Sequence, residues 1–303
     1  MFRDRVALID ADVLVYRIGF AGQDNVHSVL DDNGEVLEKF ENKTEANDFV
    51  ELLALQGCMQ PRLETHITPK SEADVESMLD VAINNIVQQS GASSYVCYLS
   101  GSTNFRLTSA KYQEYKANRK DSVKPIHYQF IRDCITENHP VVVSENCEAD
   151  DLLAIELYKG FKTAAESGEQ LDCEVILCTI DKDLRNVPGW HYNIHHRDVD
   201  WVYPVDADRH FALQLLTGDR VDNIPGISFY SDGKKKVGPA TAKKLLGDAV
   251  TKSELYDAVC SAYEEFAGDD WYDKLNNSGL LLWMQRSPEQ QFDIKHWKGE
   301  LYD

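Results

Sequence analysis

Nine residues are the most informative about the fold and chemistry of this chain: Gly218-Asp219-Arg220-Val221-Asp222-Asn223-Ile224-Pro225-Gly226. Two carboxylates lie three residues apart in this stretch, and an Asn-Ile-Pro-Gly turn leads towards a lysine-rich, glycine-punctuated segment. Paired carboxylates suit hard divalent cations, and glycine with lysine at the start of a helix suits phosphate. The combination favours metal-dependent cleavage of a nucleic-acid backbone.

Acidic residues also follow three predicted strands upstream, which are Val6–Ile9, Val141–Val143 and Val175–Ile180. The acids that follow them are Asp10, Glu148, Asp150, Asp151, Asp181 and Asp183. Because sites in open α/β sheets gather beyond the carboxyl ends of strands, we expect these acids to converge with Asp219 and Asp222. One such cluster alone is usually a helix cap or a solvated face, and Asp12 is expected to be structural. Four clusters together favour a site for two Mg²⁺ ions.

Composition indicates an ordinary globular protein of 303 residues, long enough for one large domain or two unequal ones. No apolar run reaches the roughly 18 residues of a membrane helix. The seven cysteines are odd in number and lack C-x-x-C spacing, which favours reduced thiols in a cytoplasmic protein. A net charge of −20 argues against a general nucleic-acid coat. Two basic patches, within 104–124 and 232–244, instead predict DNA contacts at a few places.

Short apolar strands alternate with helical patterns over the first two thirds of the chain. This alternation predicts an α/β fold with a largely parallel central sheet flanked by helices. After about residue 205 the pattern becomes helical, so we expect a catalytic domain over 1–205 and a helical region over 206–303. A hairpin is predicted at 27–40, whereas residues 41–70 are expected to be irregular.

Basic residues occur beside aromatic residues in two segments, Asn104–Arg106 and Tyr115–Lys120. Aromatic rings can stack on unpaired bases while Lys and Arg contact phosphate, although such charge runs are usually solvated faces. A further basic segment, later in the chain, opens a helix with Gly238-Pro239. Its free backbone amides are expected to hold a phosphate of duplex DNA, and a flexible lysine loop is the alternative. The side chains expected to assist are Lys236, Lys243 and Lys244.

The order of these motifs resembles the flap endonuclease and 5′→3′ exonuclease family. That family includes the 5′-nuclease domain of bacterial DNA polymerase I and stand-alone bacteriophage exonucleases, and the chain is most similar to the phage type. The motifs that carry the resemblance are Asp10, Phe105-Arg106, Tyr115–Arg119, Glu148–Asp151, Asp181–Asp183 and Gly218–Gly226. The resemblance implies a PIN-like domain, an arch or clamp near 104–124 and a helix–three-turn–helix near 213–247.

The resemblance also implies cofactors, substrates and roles for individual residues. Two Mg²⁺ or Mn²⁺ ions are implied, with a monovalent cation at the helix–three-turn–helix. Asp10, Glu148 and Asp150 would hold the first ion; the residues implied for the second are Asp151, Asp181, Asp183, Asp219 and Asp222. Lys116 and Arg119 would act on the scissile phosphate. The implied DNA contacts are Arg106, Tyr115, Lys120, Lys236, Gly238, Lys243 and Lys244.

Two departures from the family pattern leave alternatives open. The family places a further acid after the strand that ends at Leu99, but 99–104 contains none, and Asp12 could replace it. Residues 228–235 also enlarge the link within the predicted helix–three-turn–helix. The first hypothesis is a nuclease acting on DNA 5′ ends, flaps or nicks in phage replication, primer removal or recombination. The alternatives are a non-catalytic DNA-structure-binding protein and a ribonuclease acting on RNA–DNA hybrids.

Overall fold

The computed structural model describes residues 4–57, 60–120, 122–288, 290 and 292–298. In chain order its elements are β1 (Val6–Asp10), α1 (Ala11–Ala21), β2 (Gln23–Leu30), β3 (Val36–Phe40), α2 (Lys43–Leu55), β4 (Arg62–Pro69), α3 (Glu72–Ser90), β5 (Ser94–Leu99), α4 (Arg106–Ser109), α5 (Tyr128–Asn138), β6 (Val141–Val143), α6 (Ala149–Ser167), β7 (Val175–Thr179), β8 (Gly189–Asn193), β9 (Asp198–Val202), α7 (Pro204–Thr217), α8 (Ile227–Tyr230), α9 (Pro239–Leu246), α10 (Lys252–Phe266), α11 (Trp271–Leu282) and α12 (Ile294–Trp297). None of the described helices is long and apolar enough to cross a bilayer.

A six-stranded sheet in the order β6-β5-β1-β7-β8-β9 forms the centre of one of the two compact units into which the chain divides. β1 is parallel to both β5 and β7, and its last four residues are buried. Continuous apolar strands of this kind suit a parallel sheet that is covered on both faces. β9 pairs antiparallel with β8 at the edge and was not predicted. The predicted α/β fold with a largely parallel central sheet is confirmed.

Helix α6 covers the part of the sheet that carries the acidic residues. Leu153 and Leu157 of α6 lie in one buried apolar cluster with Leu8 of β1 and Leu177 of β7. Burying several such side chains stabilises the fold by roughly 1.5–3 kcal/mol each. This packing fixes the first turn of α6 near the carboxyl ends of β1 and β7.

The C-terminal helices form a second apolar cluster, which includes Phe211 of α7 and Tyr263 of α10. The ring of Phe211 packs edge-on against Trp283 and Trp297, with centroids 5.0 and 5.1 Å apart. Apolar spacing in the sequence predicts a helix over roughly 278–286, whereas α11 begins at Trp271 and ends at Leu282. The difference arises because Leu275, Ser278, Leu281 and Leu282 share a buried face that polar neighbours conceal in the sequence.

The chain divides into two compact units, but the division does not fall at residue 205. One unit comprises Met1–Val13, Ile83–Val123 and Asn138–Asp303, and the other comprises Leu14–Ala82 and Lys124–Glu137. The predicted boundary at 205 therefore does not separate the sheet from the C-terminal helices. The amide of Asn186, just after β7, donates to Leu282 O of α11 at 3.2 Å, and Arg286 in turn donates to Asn186.

The other unit contains a three-stranded antiparallel sheet in the order β3-β2-β4. The predicted hairpin is present as β2 and β3, whereas 41–70, expected to be irregular, contains α2 and β4. α2 has a single buried residue, Ala46, and β4 is mostly exposed, so neither has a clear hydrophobic period. The signal present in the sequence is Asn42, whose side chain caps α2 by accepting from Thr44 N at 2.8 Å.

Candidate metal and nucleic-acid site

Asp10 lies at the carboxyl end of β1 and is 3% exposed. Its carboxylate accepts hydrogen bonds from Thr179 Oγ1 at 2.7 Å and from Val13 N at 3.3 Å. Burial raises the pKa of Asp10 to about 7, and the negative charges of Asp12 and Asp181 add to the rise. A carboxyl held in this way favours either a proton or a bound cation.

Asp150 and Asp181 both interact electrostatically with Asp10. Burial raises the pKa of Asp150 well above its ordinary value, and repulsion from Asp10, Asp181 and Glu148 raises it further. The pKa of Asp181 is also raised, again mainly by burial, and Asp222 contributes repulsion. These acids come from distant parts of the chain, yet each acts electrostatically on the others, so the structure brings them together as the sequence predicted.

Glu148 caps the N-terminus of α6 and is neutralised by cations. Lys116 Nζ pairs with its carboxylate, Tyr115 OH donates to it at 2.8 Å, and Arg106 Nη1 lies 3.8 Å away. Burial alone would raise the pKa of Glu148, but attraction to Lys116 and Arg106 outweighs burial and lowers it. Glu148 is therefore ionised and already paired.

Asp222 is paired in a similar way and shares Lys116 and Tyr115 with Glu148. Arg119 pairs with its carboxylate, Tyr115 OH donates to it at 3.0 Å, and Lys116 Nζ lies 3.7 Å away. Lys116 N also donates to Asp222 O at 2.8 Å, and Lys116 has a left-handed backbone with φ 55°. Lys116 and Arg119 therefore lie among the acids, held by carboxylates. Over the described residues of 104–124, the structure contains α4 and a short 3₁₀ turn at Ala117–Arg119 but not the longer helix of an arch.

Asp219 is fixed by a tight turn after α7. Its carboxylate accepts from Val221 N at 2.6 Å and Asp222 N at 3.1 Å, and Lys182 Nζ lies 3.0 Å away. Burial alone would raise the pKa of Asp219. The hydrogen bond from Lys182 is the largest of the effects that outweigh burial and lower this pKa. The turn requires Gly218, whose φ is 70°, because an added Cβ would lie 2.3 Å from Ile224 O.

Asp151 and Arg106 differ from their predicted roles. Both side chains are fully buried, and Arg106 donates to Asp151 through two hydrogen bonds of 2.5 and 2.8 Å. Arg106 also donates to Leu281 O and Trp283 O. The structure therefore corrects the expectation of a phosphate contact at Arg106 and of a metal ligand at Asp151. The two residues form a buried ion pair that ties α6 to the end of α11.

Asp183 is held by Gln214, a residue that the sequence did not single out. Gln214 Nε2 donates to Asp183 Oδ1 at 2.8 Å, and Asp183 N donates to Asp181 Oδ1 at 2.8 Å. Burial and repulsion from Asp181 and Asp219 raise the pKa of Asp183 to about 7. Gln214 Oε1 is buried and has no hydrogen-bond partner among the described residues. Gln214 lies in the helical pattern predicted after residue 205, and nothing in that pattern indicated its contact with Asp183.

Asp12 occupies the region where the family pattern expects a further acid. Asp12 Oδ2 accepts from Ser100 N at 2.9 Å, and Ser100 Oγ accepts from Ala149 N at 3.0 Å. Ser100 therefore connects Asp12 to the first turn of α6. This agrees with the structural role that was expected of Asp12, and its role as a replacement ligand stays a prediction.

Within the described ranges, no three His, Cys, Asp or Glu side chains form a ready-made metal cage. The reason lies in how the acids are paired. Three carboxylates are paired with cations, and the pairs are Glu148 with Lys116, Asp222 with Arg119 and Asp219 with Lys182. Burial and repulsion raise the pKa of the remaining acids. Those remaining acids are Asp10, Asp150, Asp181 and Asp183.

Two of the predicted duplex-binding residues line a groove of about 780 Å³. Lys236 and Gly238 line it, and Lys182 and Arg220 lie on the same groove. Gly238 is the N-cap of α9 and Pro239 its first residue, as predicted, and Lys243 and Lys244 are exposed. Tyr115 is 4% exposed, which excludes the predicted stacking on a base in this conformation. Lys120 is exposed and pairs with Glu114 at 2.7 Å.

Comparisons with known proteins identify relatives of this chain. No protein-family model matches it. The DNA polymerase I of Rhizobium leguminosarum is 33% identical over 147 residues, which are 45% of this chain and 13% of that protein. The chain therefore matches a small part of the length of this relative.

Solved structures from bacteriophage T5 share the fold. A T5 protein co-crystallised with metal ions superposes with a TM-score of 0.54 at 12% identity and covers 92% of this chain and 88% of its own. A T5 flap endonuclease in a pseudo-enzyme-product complex with DNA and metal ions gives 0.52 at 13% identity and the same coverage. The DNA polymerase I similarity supports the resemblance to the flap endonuclease and 5′→3′ exonuclease family, and the T5 structures show that the fold is shared.

Proposed function

We propose that this protein is a divalent-metal-dependent, structure-selective 5′ nuclease that hydrolyses DNA phosphodiesters. One observation carries the proposal: buried acids that repel one another meet at the carboxyl ends of β1 and β7, with Lys116 and Arg119 between the neighbouring acids. Its proposed substrates are DNA 5′ ends, flaps and nicks. Its proposed setting is phage DNA replication, primer removal or recombination in the cytoplasm of a bacterial host.

The chemistry of the donor set fits Mg²⁺ or Mn²⁺. The acids offer hard oxygen ligands, and the raised pKa values of Asp10 and Asp183 mark carboxylates that their surroundings leave short of positive charge. Asp10, Glu148 and Asp150 would hold one ion, and a second would be held by Asp181, Asp183, Asp219 and Asp222. Ions bound there supply a nucleophilic water near neutral pH and neutralise charge on the attacked phosphate. Asp151 would bind neither ion, because its carboxylate is paired with Arg106.

The chain's own residues orient the DNA and stabilise charge. Lys116 and Arg119 lie beside the acids and would donate to the oxygens of the scissile phosphate as its charge increases. The backbone amides at the start of α9 would hold a duplex phosphate, with Lys236, Lys243 and Lys244 as further contacts. Such contacts position the duplex without reading its sequence. A monovalent cation near the turn after α7 belongs to the same proposal.

Cleavage assays on end-labelled substrates test the proposal directly. Flap, nicked-duplex and RNA–DNA hybrid substrates should be compared with Mg²⁺ and Mn²⁺, beside a variant that combines Asp181→Ala and Asp183→Ala. The expected result is metal-dependent DNA cleavage from 5′ ends or at flaps, and its loss in the variant. Binding without any product would instead identify a DNA-structure-binding protein. Preferential cleavage of the RNA strand would identify a ribonuclease.

A further inference from the structure

A small cavity is lined by α6, the first turn of α7, the start of α10 and the segment that follows α11. Its volume is about 70 Å³, and aromatic rings, prolines and charged side chains surround it. These elements all belong to the compact unit that contains the six-stranded sheet. Among the described residues that line the cavity, none is a proposed metal ligand. The cavity is therefore distinct from the acidic site.

The charged side chains of this cavity are two cations, Lys252 and Arg286, and one carboxylate, Asp208. Lys252 Nζ lies 3.9 Å from Asp208 Oδ1, which also accepts from Trp297 Nε1 at 3.1 Å. Burial lowers the pKa of Lys252, repulsion from Arg286 lowers it further, and attraction to Asp208 offsets only part of these effects. The lining thus has a surplus of positive charge in a protein whose net charge is −20.

The guanidinium of Arg286 is buried and has a fixed orientation. Its central carbon lies 4.4 Å from the ring centroid of Trp283 and 5.6 Å from that of Tyr158. Nη1 donates to Met284 O at 2.8 Å, and Nη2 donates to Asn186 O. These contacts are made with aromatic rings and neutral carbonyl oxygens. They orient the guanidinium without neutralising its charge.

A small oxyanion suits a cavity of this size and charge. A water molecule needs about 10–15 Å³, so several water molecules or one tetrahedral oxyanion would fit. A nucleobase is larger than this space. Arg recognises phosphate through its planar fork of donors, and Lys acts on phosphate as a point charge. The carboxylate of Asp208 opposes an anion, but the two cations outnumber it.

We propose that Lys252 and Arg286 form a binding site for a single phosphate group, here called the phosphate cavity. The phosphate group is either free orthophosphate or the phosphomonoester of a nucleotide whose nucleoside stays outside the cavity. A bound phosphate would connect the start of α10 to the segment after α11. This site goes beyond the proposed nuclease activity and does not depend on it.

Isothermal titration calorimetry with inorganic phosphate tests the phosphate cavity, in EDTA and at an ionic strength held constant with NaCl. We expect saturable binding of one phosphate per chain. Lys252→Gln should weaken this binding about tenfold or more, because it removes a charge-assisted hydrogen bond, and Lys252→Arg should retain it. Lys159→Gln removes the same charge from an exposed position of α6 and is the matched control. It should leave phosphate affinity unchanged.

A cavity-filling variant provides a second test that keeps both cations. Ala207 lines the cavity and is 2% exposed, so Ala207→Val should reduce the space and weaken phosphate binding about tenfold or more. Melting temperatures measured without phosphate check that each variant folds. Equal phosphate affinity of the wild type and a folded Lys252→Gln variant would overturn the proposal, since the phosphate would then bind elsewhere. So would the absence of saturable binding to the wild type, or an equal loss in Lys159→Gln.

Titration of deoxythymidine 5′-monophosphate identifies the source of the phosphate group. Tighter binding of the nucleotide than of inorganic phosphate, weakened by Lys252→Gln, supports the site and indicates a phosphomonoester. Tighter binding of inorganic phosphate, again weakened by Lys252→Gln, supports the site and indicates free orthophosphate. None of these measurements uses cleavage, so failure of the proposed function would leave their outcome unchanged.

Discussion

Replacing Asp10 by Asn should stabilise the protein in the absence of divalent cations. Asp10 is 3% exposed, and burial together with neighbouring acids raises its pKa to about 7. A carboxyl whose pKa is raised by folding contributes most to stability below about pH 4, and this contribution is lost as the pH rises towards 7. The wild-type protein therefore carries a free-energy cost at pH 8 that the neutral amide of Asn does not.

The size of the effect follows from the shift in pKa. A change from 3.8 to about 7 corresponds to up to about 4 kcal/mol at pH 8. The amide cannot accept both hydrogen bonds that Asp10 accepts from Thr179 and Val13, which costs about 1 kcal/mol. We therefore expect the free energy of unfolding to rise by about 3 kcal/mol at pH 8 and by less than about 1 kcal/mol at pH 5.

Urea unfolding followed by circular dichroism in EDTA, at pH 5 and at pH 8, measures this difference. Asp48→Asn, at an exposed position of α2, is the matched control and should change stability by less than about 0.5 kcal/mol at either pH. Adding Mg²⁺ at pH 8 should stabilise the wild type and leave Asp10→Asn little changed. If Asp10→Asn altered stability equally at pH 5 and pH 8, the buried charge would not be the cause.

Three further predictions concern Lys116, Gln214 and the lysines of α9. Lys116→Ala should lower kcat about 100-fold and change DNA affinity little, because it removes charge stabilisation at the phosphate; single-turnover kinetics and anisotropy distinguish these effects. Gln214→Leu should weaken Mn²⁺ binding roughly 10–100-fold by calorimetry, because Asp183 loses its orienting donor; unchanged Mn²⁺ affinity would contradict this role. Combining Lys243→Ala with Lys244→Ala should weaken duplex binding and reduce its log–log salt slope by about 2, and identical slopes would refute the phosphate contact.

Three strands of the parallel sheet could be predicted because each is an almost continuous apolar run. β1, β6 and β7 were each placed within one residue of their observed ends, although β6 is partly exposed. α2 and β4 escaped prediction because few of their side chains are buried. A hydrophobic period indicates contact with a core, so α2 and β4, which make few such contacts, leave a weak pattern.

The acids of the site could also be predicted, but their partners could not. Asp150 and Asp151 project in different directions from α6, because adjacent helical residues point about 100° apart. Asp150 does interact with the other acids, whereas Asp151 faces Arg106, a residue 45 positions earlier in the chain. A motif shows that a carboxylate is present at a site. Which cation reaches it depends on tertiary contacts that the local sequence does not contain.

The arrangement of cations suggests how metal and DNA binding are linked. Without divalent ions, Lys116 and Arg119 neutralise Glu148 and Asp222, which are proposed metal ligands. When those carboxylates bind a cation instead, Lys116 and Arg119 lose their partners and become available to phosphate oxygens. Lys116 and Arg119 then serve two purposes in succession, because they first neutralise the acids and later hold the substrate. Metal should therefore increase DNA affinity in the wild type, and this coupling should shrink when Lys116 is neutralised.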